Sequence, residues 1–515
     1  ECAVFLCSSD SCEGTQVKVQ KPGSMEAEML PKLVSCPSCG CPLGEDPTAR
    51  ILADKATLRF LRSRASRSGC TLIRIFPLSG GVSHDDVAKE VELGTRYTLV
   101  VYPFQDSRTR QVYLEVNNIL QRGPHDPVLS PAFGEKAMRN LPLKMLRLYR
   151  DRMASPFSFP LSLAWVFGET LAPQGTFHRL RLVLLLALVS TRIHERSLSI
   201  LCCGGEAGTI GKLMRWAMRL SPHSMAHVHT SLIPLTGLAV RDSWNPEEFS
   251  LEAGSLLLAS CGVCFLGDLL GYKKEQLTLL RQCMEKGSVT IGIPWKAAGV
   301  YEQPLRAGLW AQCTSSTKGS RKPSFEILKV PFQEAFDLII NVEEADESQH
   351  LLISHLLDDS HIEAYLGFNN FMQLLEVAGG LRPMVNKAGE FLIQGYYVAS
   401  RRMRSGSGVP NLPQSAIHTI TRMAESLAAL SLREEAREED ACLAILLYEE
   451  TIASYTQWSP LCVTPVSHLI GQDLDILLGK LNDDKMQSFL KDLETFLRDN
   501  AGYTLISQAS AVEEE

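Results

Sequence analysis

Nothing in this 515-residue sequence is long and apolar enough to cross a bilayer. Its longest apolar run, Leu182 to Val189, has eight residues, where a spanning helix needs ~20. Internal repeats and low-complexity tracts are also lacking, which excludes solenoid and fibrous architectures. So is a strong charge of either sign. Fifty-one basic residues against 58 acidic leave −7. That excludes a histone-like basic coat and still permits a local nucleic-acid groove. An initiating Met is missing at Glu1. The chain therefore reads as a piece without its native N-terminus, and its want of a targeting segment carries no information. What is there is ordinary: 45% hydrophobic and 21% charged residues. This suits at least one large core, and the length suggests three or four domains of ~150 residues.

Cysteine breaks the plain pattern. Fifteen scattered thiols suggest a reduced, intracellular protein rather than a disulfide framework. Cys7-x4-Cys12 is followed, 23 residues on, by Cys36-x2-Cys39 and Gly40. Two Cys pairs at turn tips are the spacing of a zinc ribbon, in which four thiolates close a structural tetrahedral site. Cys2 and Cys41 are nearby substitutes, and a set of free thiols is the alternative.

The first ~125 residues are strand-rich. Thr71 to Phe76, Thr95 to Tyr102 and Val112 to Val116 are β-branched, apolar or alternating, which suggests a small barrel or sandwich. Helical patterns follow Gly134, including a buried one over Phe177 to Ser190. Ser197 to Cys203 is a short apolar run, then come Gly204-Gly205 and a helix over Lys212 to Leu220. Gly254 to Leu266 reads as a second buried strand and Phe336 to Val342 as a third. This alternation predicts a mostly parallel sheet covered by helices. Arg401 to Pro413, with Arg401, Arg402 and Arg404, reads as a solvated loop. Helical stripes resume from Ile417 and again over Cys442 to Ile452 and Met486 to Leu497.

The turn after the first α/β strand reads Gly205-Glu206-Ala207-Gly208-Thr209-Ile210-Gly211-Lys212. A phosphate loop requires GxxxxGK[ST], and here the register fails. With Gly205 as the first glycine, Gly211 takes the lysine position and Lys212 the Ser/Thr position; with Lys212 as the lysine, the first position is Glu206. An ordinary glycine-rich turn is the alternative.

Residues Gly254 to Ile291 supply the context. Their glycine-led apolar strand, following helix with Met284-Glu285 and hairpin start resemble the minichromosome maintenance (MCM) family of AAA+ ATPases. Val166-Phe167-Gly168, Phe336-Asp337-Leu338 and Thr421 to Leu427 resemble further segments of that family in order. The resemblance implies an OB-fold with a zinc ribbon over 1–125 and a helical linker over 126–164. It implies an AAA+ core over 165–400 and a helical lid over 401–455, with a C-terminal helical segment over 456–515. The implied fold class is thus a β-barrel followed by an α/β P-loop core.

The departures from the family matter more. Its magnesium-site Asp-Glu pair falls on Gly267-Asp268, its sensor Asn near Gln312, and its arginine finger on Ala335. Its lid arginine is matched by Arg422. On this basis Gly205, Gly208, Thr209, Lys212, Asp268 and Arg422 form a degenerate nucleotide site. Lys296, beside Trp295, stands where the family's DNA-contacting hairpin lysine would. The resemblance implies a nuclear pseudo-ATPase with structural zinc. Such a protein would bind DNA and recombination proteins or MCM-like subunits in meiotic homologous recombination and double-strand break repair. The alternative is a divergent helicase subunit, active only in a hetero-oligomer. A third reading retains ATP binding without hydrolysis.

Overall fold

A computed structural model describes residues 2–19, 35–49, 56–61, 70–75, 92–95, 97–105, 112–121, 141–204, 207–227, 233–241, 249–293, 300–314, 332, 335–342, 346–357, 364–405, 409–466, 468–469 and 478–501. The chain divides into two compact units, 1–123 and 124–515.

In the first unit, β1 (Cys2–Cys7) pairs antiparallel with both β2 (Thr15–Val19) and β3 (Leu43–Glu45). A second sheet has the order β4-β5-β7-β6. Its strands are β4 (Ala56–Leu61), β5 (Cys70–Ile75), β6 (Tyr97–Gln105) and β7 (Val112–Gln121). The β-branched and alternating segments of the sequence are these strands. β5 and β7 run parallel, and the other two pairings are antiparallel. Among the described residues no pairing closes this sheet into a barrel.

The second unit is built on a five-stranded sheet of order β16-β8-β15-β12-β9, with every pairing parallel. Its strands are β8 (Ile200–Gly204), β9 (Ser224–Ala226), β12 (Val263–Asp268), β15 (Gly308–Thr314) and β16 (Leu338–Val342). β8 and β12 are buried on both faces. That is why they read as continuous apolar runs rather than alternating ones. Helices α1 (Leu143–Arg152), α2 (Ser158–Val166) and α3 (His178–Ile193) precede the sheet, and α4 (Ala207–Met218) follows β8. Two antiparallel hairpins leave the sheet. One is β10 (Gly237–Arg241) with β11 (Phe249–Ala253), the other β13 (Ser288–Gly292) with β14 (Val300–Pro304). α5 (Lys274–Lys286) leads into the second hairpin.

Toward the C-terminus come α6 (Asp346–Leu357), α7 (Phe368–Gly379), α8 (Lys387–Ser405), α9 (Ala416–Leu430), α10 (Glu438–Thr456) and α11 (Lys480–Ala501). The apolar stripe of α11 buries Met486, Leu493, Phe496 and Leu497. It docks where Gly395 of α8 leaves room: a Cβ there would come 3.3 Å from Leu497. No described helix is long and apolar enough to cross a membrane.

Two expectations need correction. The segment Gly254 to Leu266 is not one strand. Ser255–Leu258 is a helical turn, and β12 begins only at Val263. Cys261 turns the chain with φ 59°, and a Cβ on Gly262 would overlap the carbonyl of His223. The break is therefore conformational and invisible to hydrophobicity. Arg401 to Arg404 are also not a loop. They form the last turn of α8, and Arg404 is buried. Its Nη2 donates to Glu449 Oε1 of α10 at 3.0 Å, and Glu449 also accepts from the Tyr396 hydroxyl. A buried cation is tolerated because it is paired and hydrogen-bonded.

Candidate nucleotide and metal sites

In a parallel α/β sheet, ligands bind beyond the C-terminal ends of the strands. That edge here is formed by Gly204, Asp268, Gln312 and Thr314. Gly204 is level with Thr314 and Val342, and Asp268 is level with Gln312. α4 begins three residues after β8, so its N-terminal turn stands over this edge. Gly208 is exposed, Thr209 half-buried and Lys212 exposed. Gly205 lies outside the described residues.

Gly211 is buried and faces the side chain of Gln312. A Cβ on Gly211 would lie 2.8 Å from Gln312 Oε1. The sensor-position amide therefore stands where a side chain at 211 would begin. Gly267 occupies the first position of the acidic pair with φ 69°, at an irregularity in the β12–β15 register. An L side chain rarely adopts that conformation. Asp268 uses Oδ1 to accept the amide of Leu270 at 3.0 Å, capping the short helical turn that follows. One position further along, Cys203 and Cys313 are level on adjacent strands. The Cys203 thiol is held well above its ordinary value by hydrogen bonding to Cys313, by burial, and by the nearby Cys313, Cys202 and Asp268 charges.

Arg422 does not join this group, contrary to the sequence expectation. Its Nη2 donates to Asp337 Oδ1 at 2.6 Å and its Nη1 to the Arg196 carbonyl at 2.9 Å. Asp337 Oδ1 also accepts from Thr419 Oγ1, and Oδ2 accepts from the amide of Ser199. These partners precede β8 and β16, at the N-terminal edge of the sheet. Arg422 therefore ties α9 to the edge opposite the phosphate turn. Ala335, at the finger position, is buried and uncharged. Lys296 and Trp295 lie outside the described residues, between β13 and β14.

Sequence reasoning missed β15, the strand that carries Gln312, because GLWAQCT has no strong period. Its only signal was its length and its place between glycine and a polar tract.

In the first unit, Cys7, Cys12, Cys36 and Cys39 bring their sulfurs within 4.8 Å of one another. Cys7 and Cys39 are 3.3 Å apart, and Cys12 and Cys36 are 3.7 Å apart. Four sulfurs at 2.3 Å from a tetrahedral zinc would be ~3.8 Å apart, so the set fits. The turns explain the convergence. The Cys7 amide donates to the Gly14 carbonyl, and the Gly40 amide to the Cys36 carbonyl, with Gly40 at φ 74°. A Cβ on Gly14 would overlap Cys36 Sγ, so glycine makes room for the sulfur. The amide of Cys41 lowers the Cys39 thiol to about 6, and the amides of Ser38 and Cys39 lower Cys36, while hydrogen bonding with Cys39 raises Cys7 and Cys12. Cys36 and Cys39 are thereby biased toward the thiolate form that binds metal. Cys41 itself is outside the four-sulfur cluster.

A family model described as the MCM P-loop domain matches residues 181–359, a span that includes all five strands of the parallel sheet. Over 505 aligned residues the chain is 30% identical to minichromosome maintenance domain-containing protein 2 of Mus musculus, covering 90% of this chain and 72% of that one. The chain belongs to the minichromosome maintenance family. The Homo sapiens protein of the same name is 27% identical over 504 residues, with the same coverage. DNA replication licensing factor Mcm2 of Drosophila melanogaster is 23% identical over 332 residues, 58% of this chain and 35% of that one. The α/β unit is thus an MCM-type AAA+ core.

Proposed function

We propose that this chain is a catalytically degenerate MCM protein that binds DNA and partner proteins in the nucleus. Its field of action is meiotic homologous recombination and double-strand break repair. The observation that carries the degeneracy is the pairing of Gly211 with Gln312. The lysine that would reach the outer phosphates is absent, and the sensor amide fills the space above its backbone. Gly267 supports the same reading, since it has no side chain with which to hold magnesium. Ala335 offers no charge to a transferring phosphate, a loss worth ~10³–10⁵ in rate.

DNA binding rests on the family and on the two hairpins. Ile291 of β13 stands over Gly237 of β10, so their stems pack together. Lys296 belongs to the tip of the second hairpin by sequence. The four-thiolate cluster is read as a structural zinc ribbon on an OB-fold: four protein ligands leave no open coordination position, so zinc would only hold the turns together.

The test is nucleotide binding by the purified full chain, followed by thermal shift with and without magnesium. The degenerate reading expects no shift with ATP and no hydrolysis. The rival is a helicase subunit that a partner completes. It expects ATPase activity in a mixed assembly that falls when Asp268 is changed.

A further inference from the structure

α4 is an amphipathic helix with an unusual outer face. Ile210, Gly211, Leu213, Met214 and Ala217 are buried, and the exposed positions are Gly208, Lys212 and Arg215. Arg219, exposed in the turn that directly follows, continues the same face. Every exposed side chain on this surface is therefore a cation. Steps of three and four residues set the three cations along one side, ~4.5 and ~6 Å apart along the axis. Two of them are held in place. The Arg215 guanidinium lies 5.6 Å from the Phe265 ring centroid, and that of Arg219 lies 5.6 Å from the ring of Phe368. No described carboxylate forms an ion pair with any of the three. In a chain of net charge −7 this concentration of unneutralised charge is local.

We infer that the outer face of α4, with Lys212, Arg215 and Arg219, is a docking track for the phosphodiester backbone of DNA. The inference rests on the DNA-binding reading above and names a surface distinct from the hairpins. A row of cations about 10 Å long, two of them held over rings, suits a regularly charged polymer better than a single carboxylate or phosphate. Stacking on Phe265 and Phe368 restrains the guanidinium groups, so less side-chain freedom is lost on binding. The same observation explains Lys212. It stands one register past the phosphate-loop lysine and is exposed, so it serves the helix surface rather than a bound nucleotide.

The test is fluorescence anisotropy of labelled DNA, single- and double-stranded, titrated with full-length protein at several salt concentrations. Lys212→Gln/Arg215→Gln/Arg219→Gln is compared with wild type and with the charge-conserving Lys212→Arg/Arg215→Lys/Arg219→Lys, after circular dichroism melts confirm each fold. The inference expects the neutral variant to lose about 2–3 from the slope of log affinity against log salt, at ~0.7–0.9 per phosphate contact. The charge-conserving variant should keep the wild-type slope. A neutral variant with wild-type slope and affinity would overturn the track and leave DNA binding intact. A wild-type chain that binds no DNA would overturn both. If polyglutamate binds through these three cations while DNA does not, the surface belongs to an acidic protein and the inference fails.

Discussion

Arg422 of α9 and Asp337, ahead of β16, meet at 2.6 Å in a largely buried ion pair. Asp337 also receives Thr419 and the amide of Ser199. One carboxylate thereby joins two strands and a helix. The arrangement makes Arg422 a structural residue of this chain.

Arg422→Ala is therefore expected to lower stability by about 2–4 kcal/mol, because it leaves Asp337 partly buried without its cation. Urea denaturation measures this, and a double-mutant cycle with Asp337→Asn should return strong coupling. A variant of unchanged stability would contradict the assignment.

Each of Cys7, Cys12, Cys36 and Cys39 is expected to be required for one tightly bound zinc, and Cys41→Ser to keep it. Elemental analysis gives the metal-to-protein ratio. Chelation should unfold the turns of the first unit, seen as a lowered melting temperature. Undiminished metal in Cys12→Ser would exclude the four-sulfur site.

Restoring the lysine alone is not expected to restore chemistry. Gly211→Lys must displace the Gln312 amide, which lies 2.8 Å from where its Cβ would sit. Gly267 and Ala335 remain unchanged. ATP turnover should stay at background, and adding Gln312→Ala should recover any stability lost. Nucleotide titration followed by thermal shift reads both effects.

Stability should carry a mark of Glu425. Burial raises its carboxyl from 4.5 to about 7, against the lowering influence of Arg422 and the Val385 amide. Its neighbour His194 lies 3.5 Å away. A raised folded-state value means protonation favours folding. This contribution is full below about 4.5 and is lost as pH rises through about 7. Glu425→Gln should therefore melt above wild type at pH 8, and the gain should vanish near pH 4. A gain of equal size at both pH values would contradict the assignment.

Much of this was legible in the residues. The buried strands β8 and β16 and the helix α3 stood out as apolar runs, because both faces of a parallel sheet are covered. The clustering of Cys7, Cys12, Cys36 and Cys39 was legible from their spacing. Arg422 was not, because motif order says nothing about which edge of a sheet a helix residue reaches. Nor was the buried Arg404–Glu449 pair, since charged residues in a Gly/Ser-rich stretch read as solvent-exposed. The role of Gln312 required the structure, because its contact with Gly211 joins residues 101 positions apart through the register of β8 and β15.

The central claim is that the phosphate edge of this MCM core no longer performs phosphoryl transfer. It is tested most directly by measuring ATP hydrolysis by the purified full chain, with and without DNA, beside an Asp268→Asn variant. The account predicts no turnover above background and no difference between the two proteins. DNA-stimulated hydrolysis that disappears in Asp268→Asn would contradict it.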